Sequence, residues 1–307
     1  MQRKDFLKIG FTGFAGIAAG GLKFKTLSLT DTPLDDLNLK KAFMLDTFPS
    51  GEYSLLQKFE MLRSAGFEGV EPPGGLERSA VKEAMEITGL EIPSIVVSTH
   101  WSHPLSSPDP EVRGIGRGGL ETALYDAHEY GAKTVLLVPG VVNEEVSYNQ
   151  VYKRSQEEIR NAIPLAEELG VVIAVENVWN QFLLSPMEAA AYVDDFDSPW
   201  VGWYFDIGNV MNYGWPEQWI RILGERIKMI HIKEFSREKR DNEGLWKGFE
   251  VNYMEGDNNW PEIVKALKEI GYSGYGIAEP PYKDPNTPTD IWLEEIISGR
   301  MDKIFSL

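Results

Sequence analysis

From Lys40 onward the chain repeats one unit: a short apolar run, a turn, then a longer stretch whose apolar residues recur at helical spacing. The runs are AFML (42–45), GVE (69–71), SIVVS (94–98), TVLLVPG (134–140), VVIAVE (171–176), VGWYFD (201–206), IKMIHI (227–232) and YGIAEP (275–280). Most are continuously apolar rather than alternating, which implies strands covered on both faces and therefore a parallel sheet. The stretches between them, such as LLQKFEMLRSAGF, LETALYDAHEYGA and PEIVKALKEIGYSG, each carry one apolar stripe. A glycine after most of them suits a left-handed C-terminal cap. Eight such strand and helix units predict an α/β fold closed as a (β/α)8 TIM barrel, a single catalytic domain over residues 36–307. An open doubly wound sheet is the alternative, but no glycine-rich phosphate loop follows the first strand.

The segment before the barrel reads differently. MQRKDFLKIGFTGFAGIAAGG has a basic opening, then a run of small and apolar residues from Ile9 to Gly21 that is too short for stable membrane insertion. RKDFLK is similar to the twin-arginine export motif, with Lys4 in place of the second arginine. Residues 1–35 are therefore expected to be an export signal and linker, giving a periplasmic address; without export the protein is cytoplasmic. A formal charge of −17, from 47 acidic against 30 basic residues, repels phosphodiester backbones and excludes nucleic acid as the natural partner. The absence of cysteine removes disulfides, thiolate catalysis and cysteine-type zinc sites together.

In a barrel of this type the C-terminal strand tips converge on one mouth. The fifth run ends in Glu176, the sixth in Asp206, the seventh carries His231 and the eighth reaches Glu279. Any one of these has an ordinary reading, as a helix cap, a salt-bridge partner or a core histidine. Three converging carboxylates would repel one another unless a cation offset them, so the four together point to one divalent metal. Oxygen donors with one imidazole favour Mn²⁺, with Mg²⁺, Co²⁺ or Zn²⁺ also accommodated. Four protein ligands leave coordination positions free for a substrate, as a catalytic site requires.

VENVWNQFLLSP, VGWYFDIGNV, IHIKEF and EGDNNWPEIVKALKEIGYSGYGIAEP resemble the xylose-isomerase-like barrels, in particular the sugar and sugar-phosphate isomerases and epimerases. The resemblance implies that Glu176, Asp206, His231 and Glu279 are the metal ligands, and that Glu176 and Glu279 are also the acid/base pair. It implies a small sugar substrate whose proton is removed next to a ketose carbonyl through a metal-stabilised ene-diolate. Arg237 falls where epimerases place an arginine near the substrate's terminal oxygens; a solvated loop charge is its alternative. Asn209 stands where some relatives use histidine. Lys233, at the exit of the seventh strand, is expected to touch substrate or pair with an acid. Glu71 and His100, ending the second and third strands, are expected to line the mouth, and Trp101, Trp179 and Trp215 to stand in loops beside it. An exported enzyme favours an unphosphorylated sugar. The same ligands would serve a lyase or hydrolase acting on 3-keto glycosides. A multi-metal abasic-site nuclease shares the barrel but wants more than four histidines and a basic groove. Assembly into a homo-oligomer is compatible with the chain.

Overall fold

The computed structural model describes residues 37–49, 51, 53–280 and 282–307; the expected export signal lies outside the described residues. The strands are β1 (Leu39–Met44), β2 (Gly69–Glu71), β3 (Ser94–Val96), β4 (Thr134–Leu137), β5 (Val172–Glu176), β6 (Val201–Asp206), β7 (Ile227–Ile232) and β8 (Gly274–Ala278). They pair in parallel in the order β2-β1-β8-β7-β6-β5-β4-β3. At the β2/β3 seam a full ladder gives way to two isolated parallel bridges, Gly69 with Glu91 and Pro73 with Val96. Gly74 N donates to Val96 O at 2.8 Å and Val96 N to Pro72 O at 3.0 Å, which stitches the ring into a TIM barrel.

Helices fall between the strands: α1 (Leu55–Ser64), α2 (Arg78–Thr88), α3 (Pro110–Tyr130), α4 (Tyr148–Leu169), α5 (Pro186–Asp194), α6 (Ile207–Val210), α7 (Pro216–Leu223), α8 (Arg237–Glu243) and α9 (Trp260–Glu269). A C-terminal helical run, 289–305, includes a π-helical stretch at Trp292–Ser298. Local chemistry sets the ends. Ser54 and Gln57 form a capping box at α1, and Gly89, Gly131 and Gly170 close α2, α3 and α4 in the left-handed region. In α4 the buried stripe Val151, Ser155, Ile159, Ala162 and Ala166 follows the helical repeat and faces the sheet.

Two departures from expectation have local causes. α3 starts at Pro110 rather than Leu120, with Asp109 capping it. Its first half contains Gly114, Gly116, Gly118 and Gly119, poor helix formers that tertiary packing overrides. A Cβ at Gly116 would collide with the His103 carbonyl, and one at Gly119 with the Thr99 hydroxyl, so these glycines let the loop after β3 lie directly on the helix. The stretch after β7, read as loop, instead folds into α8 and a 3-10 turn, Leu245–Phe249. No described helix is long and apolar enough to cross a membrane.

Candidate metal and active site

Alternate residues of a strand face the same side of a sheet. Ala174, Tyr204, Met229 and Ile277 fill the barrel interior together with Val96 and Leu136. Two positions further along the same strands stand Glu176, Asp206, His231 and Glu279, so these four continue the inward face up to the C-terminal mouth. One donor atom from each lies within 4.8 Å of all the others.

Neighbouring groups fix their orientation. Asp206 Oδ1 accepts from Asn209 N at 2.6 Å and caps α6. Asn177, the residue after Glu176, donates to Asp206 O at 2.7 Å and accepts from Asp206 N and from Trp203 Nε1. This amide therefore locks the tips of β5 and β6 to each other. His231 Nε2 lies 2.8 Å from Glu71 Oε2, and Tyr204 donates its hydroxyl to Glu71 Oε1 at 2.6 Å. With Nε2 engaged, Nδ1 is turned toward the acids: 3.0 Å from Glu279 Oε2, 3.3 Å from Glu176 Oε1 and 3.9 Å from Asp206 Oδ2. A carboxylate behind a histidine in this way fixes the ring and raises its basicity as a ligand.

The electrostatics fit a cation. Burial pushes Glu176 and Asp206 above the usual carboxylate range, although His231 opposes the shift at Glu176 and Lys233 opposes it at Asp206. Burial would raise Glu279 as well, but Lys233 and His231 outweigh it and hold its carboxyl low. Asp206 Oδ2 and Glu279 Oε2 are buried and receive no hydrogen bond. Two orphaned carboxylate oxygens beside an imidazole nitrogen are the donor set that a divalent ion would complete. Glu176, Asp206, His231 and Glu279 fit such an ion.

Above the quartet opens a cavity of about 460 Å³. Glu176, Glu279, His100, Trp101, Asn209 and Lys233 line it, as do Trp179, Trp246, Phe249 and Glu250. Asp206 and His231 lie beneath its floor with side chains 0% exposed.

Comparison with known proteins agrees with this geometry. Residues 59–298 match the profile of the xylose isomerase-like TIM barrel family. The chain belongs to that family. Among curated proteins, the L-ribulose-5-phosphate 3-epimerase UlaE of Escherichia coli O1:K1 is 25% identical over 240 residues, covering 74% of this chain and 81% of the relative. Among solved structures, D-psicose 3-epimerase superposes with a TM-score of 0.68 at 20% identity, over 87% of this chain and 96% of that one. The 3-keto-D-glucoside 4-epimerase YcjR from E. coli superposes with a TM-score of 0.71 at 16% identity, over 88% and 100%.

Within this xylose isomerase-like barrel, not every residue expected at the mouth is there. Glu71 is fully buried, and both its oxygens are taken by His231 and Tyr204, so it backs the His231 ring rather than facing the cavity. Arg237 turns away: its guanidinium donates to Met211 O and Gly214 O and packs over the Trp215 ring. Trp215 is accordingly the platform for Arg237 and not a cavity wall. Lys233 Nζ sits 2.6 Å from Glu279 Oε1 and 3.4 Å from Asp206 Oδ2. Asn209 spends its side-chain amide on Asn177 O at 3.0 Å. His100 Nδ1 accepts from Val138 N at 3.3 Å, and burial pulls its pKa down to about 4. Sequence reasoning marks Asn177, paired with Glu176 at the end of the fifth run, as serving the strand tip, and gives no part to Tyr204, Trp246 or Phe249. Asn177 had a signal, an amide directly after a strand-final acid; Tyr204 had one too, two residues before Asp206 on the same face.

Proposed function

We propose that this protein is a divalent-metal-dependent sugar epimerase or isomerase that removes and returns a proton next to a ketose carbonyl. The observation that carries this reading is a division within the quartet: Glu176 and Glu279 reach the cavity, whereas Asp206 and His231 are sealed beneath it. All four would hold the ion, Mn²⁺ by preference, and only the two glutamates are placed to touch substrate. When bound, the cation supplies a Lewis acid that steadies the negative oxygen of an ene-diolate. Glu176 and Glu279 come from β5 and the end of β8, with β6 and β7 between them. A sugar carbon lying between two such carboxylates offers its hydrogen to one and its opposite face to the other, which is what inversion requires. Lys233, against Glu279, holds that carboxylate in place and keeps it charged.

An unphosphorylated sugar suits the site better than a sugar phosphate. Among the described residues Lys233 is the one lysine or arginine lining the cavity, and two carboxylates already occupy it. Elimination from a 3-keto glycoside uses the same machinery: one glutamate takes the C2 proton, the C1–O bond breaks, and the other glutamate protonates the departing oxygen. The reach of the cavity out to Trp246 favours keeping this second reading.

Incubating the Mn²⁺-loaded protein with ketoses and with 3-keto glycosides in heavy water tests the assignment. Deuterium should enter the carbon next to the carbonyl of an otherwise intact sugar. Absence of exchange from every ketose, with metal bound, would overturn the proposal; release of an aglycone without exchange would replace it by the elimination route.

A further inference from the structure

Beyond the two glutamates the cavity extends to an outer wall that is aromatic. Trp246 lines it while remaining 68% exposed, and Trp101 lines it at 54% exposed. Exposing two tryptophans is unfavourable unless something covers them. Their positions are set by topology. Trp101 follows β3 and Trp246 follows β7, four places apart in a ring of eight strands, so their loops approach the mouth from opposite sides.

The Trp246 side is built. Its indole packs on Trp179 with ring centroids 4.8 Å apart, and Trp179 packs on Phe249 at 4.8 Å. The 3-10 turn that carries it is anchored where Ser236 N donates to Gly248 O at 2.7 Å and Lys239 Nζ to Glu250 O at 2.6 Å. Gly248 is required there, because a Cβ would collide with the Phe235 ring. Glu250, on the same wall, accepts from Lys247 Nζ through Oε1 at 2.6 Å and adds its second carboxylate oxygen to the aromatic surface.

A flat aromatic face beside a hydrogen-bond acceptor suits a pyranose, whose C–H face is apolar and whose edge carries hydroxyls. We infer that Trp246, Trp179 and Glu250 form a second sugar subsite, and that the substrate carries a second ring beyond the one undergoing proton transfer. This deepens the reading above and rests on it for the identity of the inner ring.

Calorimetric titration of the full-length, Mn²⁺-loaded chain tests it, comparing D-fructose with the ketose disaccharides turanose, lactulose and isomaltulose. At least one disaccharide should bind about tenfold more tightly than fructose, the scale of one good stacking contact. Trp246→Ala should erase that advantage and Trp246→Phe should keep most of it, with both variants melting as the parent does because the side chain is exposed. The inference is overturned if no disaccharide outperforms fructose, or if the advantage survives Trp246→Ala. Heavy-water exchange run on the same sugars separates the two claims. Exchange into fructose with no disaccharide advantage sinks the subsite alone, whereas a disaccharide advantage with no exchange sinks the proton-transfer reading and leaves the subsite standing.

Discussion

The two halves of the barrel mouth are built from opposite materials. On the β5–β8 side the inward tips are Glu176, Asp206, His231 and Glu279; on the β1–β4 side the cavity meets Met44, Val96 and Leu136. Both halves obey the same alternation, so strand geometry does not explain the contrast. The first half concentrates buried acids against His231 and Lys233; the second provides an apolar wall and a neutral imidazole, His100. One residue crosses the divide. Glu71, on β2, reaches over to His231 on β7 and Tyr204 on β6. On the proposed function, chemistry belongs to the acid-rich side and containment to the apolar one.

The largest effect belongs to the two glutamates that face the cavity. Glu279→Gln and Glu176→Gln each keep size and one oxygen donor but lose the proton acceptor, and should lower kcat by about 10²- to 10⁴-fold. Deuterium wash-in measures this directly, and a fully active Glu279→Gln variant would take that residue out of the acid/base role. On the opposite wall Met44→Leu, which conserves volume, should cost less than about 1.5 kcal/mol of stability.

Metal removal comes next. A ligand that binds only the folded state stabilises it by about 2.7 kcal/mol at a hundredfold excess over Kd. For a domain of this size, chelation should therefore lower the thermal midpoint by about 5–10 °C, and Mn²⁺ should restore it. Asp206→Asn should melt at the same temperature with and without Mn²⁺. A parent melt indifferent to chelator would mean that the acid-rich half is stabilised by shared protons instead.

Glu71 tests the one link across the divide. Glu71→Gln preserves shape but removes the charge behind His231 Nε2, and should weaken Mn²⁺ binding about 10- to 100-fold by titration calorimetry. Unchanged affinity would show that the tilt of His231 is set by its own strand.

Those contrasts also explain what the sequence made legible. The convergence of Glu176, Asp206, His231 and Glu279 was readable because a strand's inward register runs out at its tip, so each could be placed from its own short run. Glu71 was visible as a strand end, but its partner lies 160 residues away, and no local pattern announces that pairing. Arg237 was misplaced for the same reason: Met211 and Gly214, whose carbonyls hold it, belong to a different loop. The eight strands and the helices between them followed from periodicity. The α8 and 3-10 segment did not, because SREKRDNEGLWKGF has no apolar stripe and is held by contacts far along the chain, Arg240 Nη1 to Asn212 O and Trp246 on Trp179. Trp246 was lost with it.

The smallest effect is a pH dependence that separates the two buried imidazoles. The carboxylates around His231, Glu71 foremost, outweigh the effect of burial and raise its pKa well above the usual value. His100 has no such partner, and burial alone lowers it to about 4 from the ordinary histidine value of 6.5. A lowered histidine pKa means that the unfolded chain binds the proton first, so stability falls as pH drops below about 6.5 and stops falling near 4. At about pH 5.5 the loss from this one group should be about 1 kcal/mol relative to neutral pH. Because other groups titrate in the same window, the measurement is a difference. The parent should lose about 2–4 °C more than His100→Phe between about pH 8 and about pH 5.5. In the same range the His100 ring signals in an NMR titration should stay fixed. If they move with a midpoint near that of a free imidazole, water reaches this side of the mouth, and the division into a charged half and a dry half fails at its simplest point.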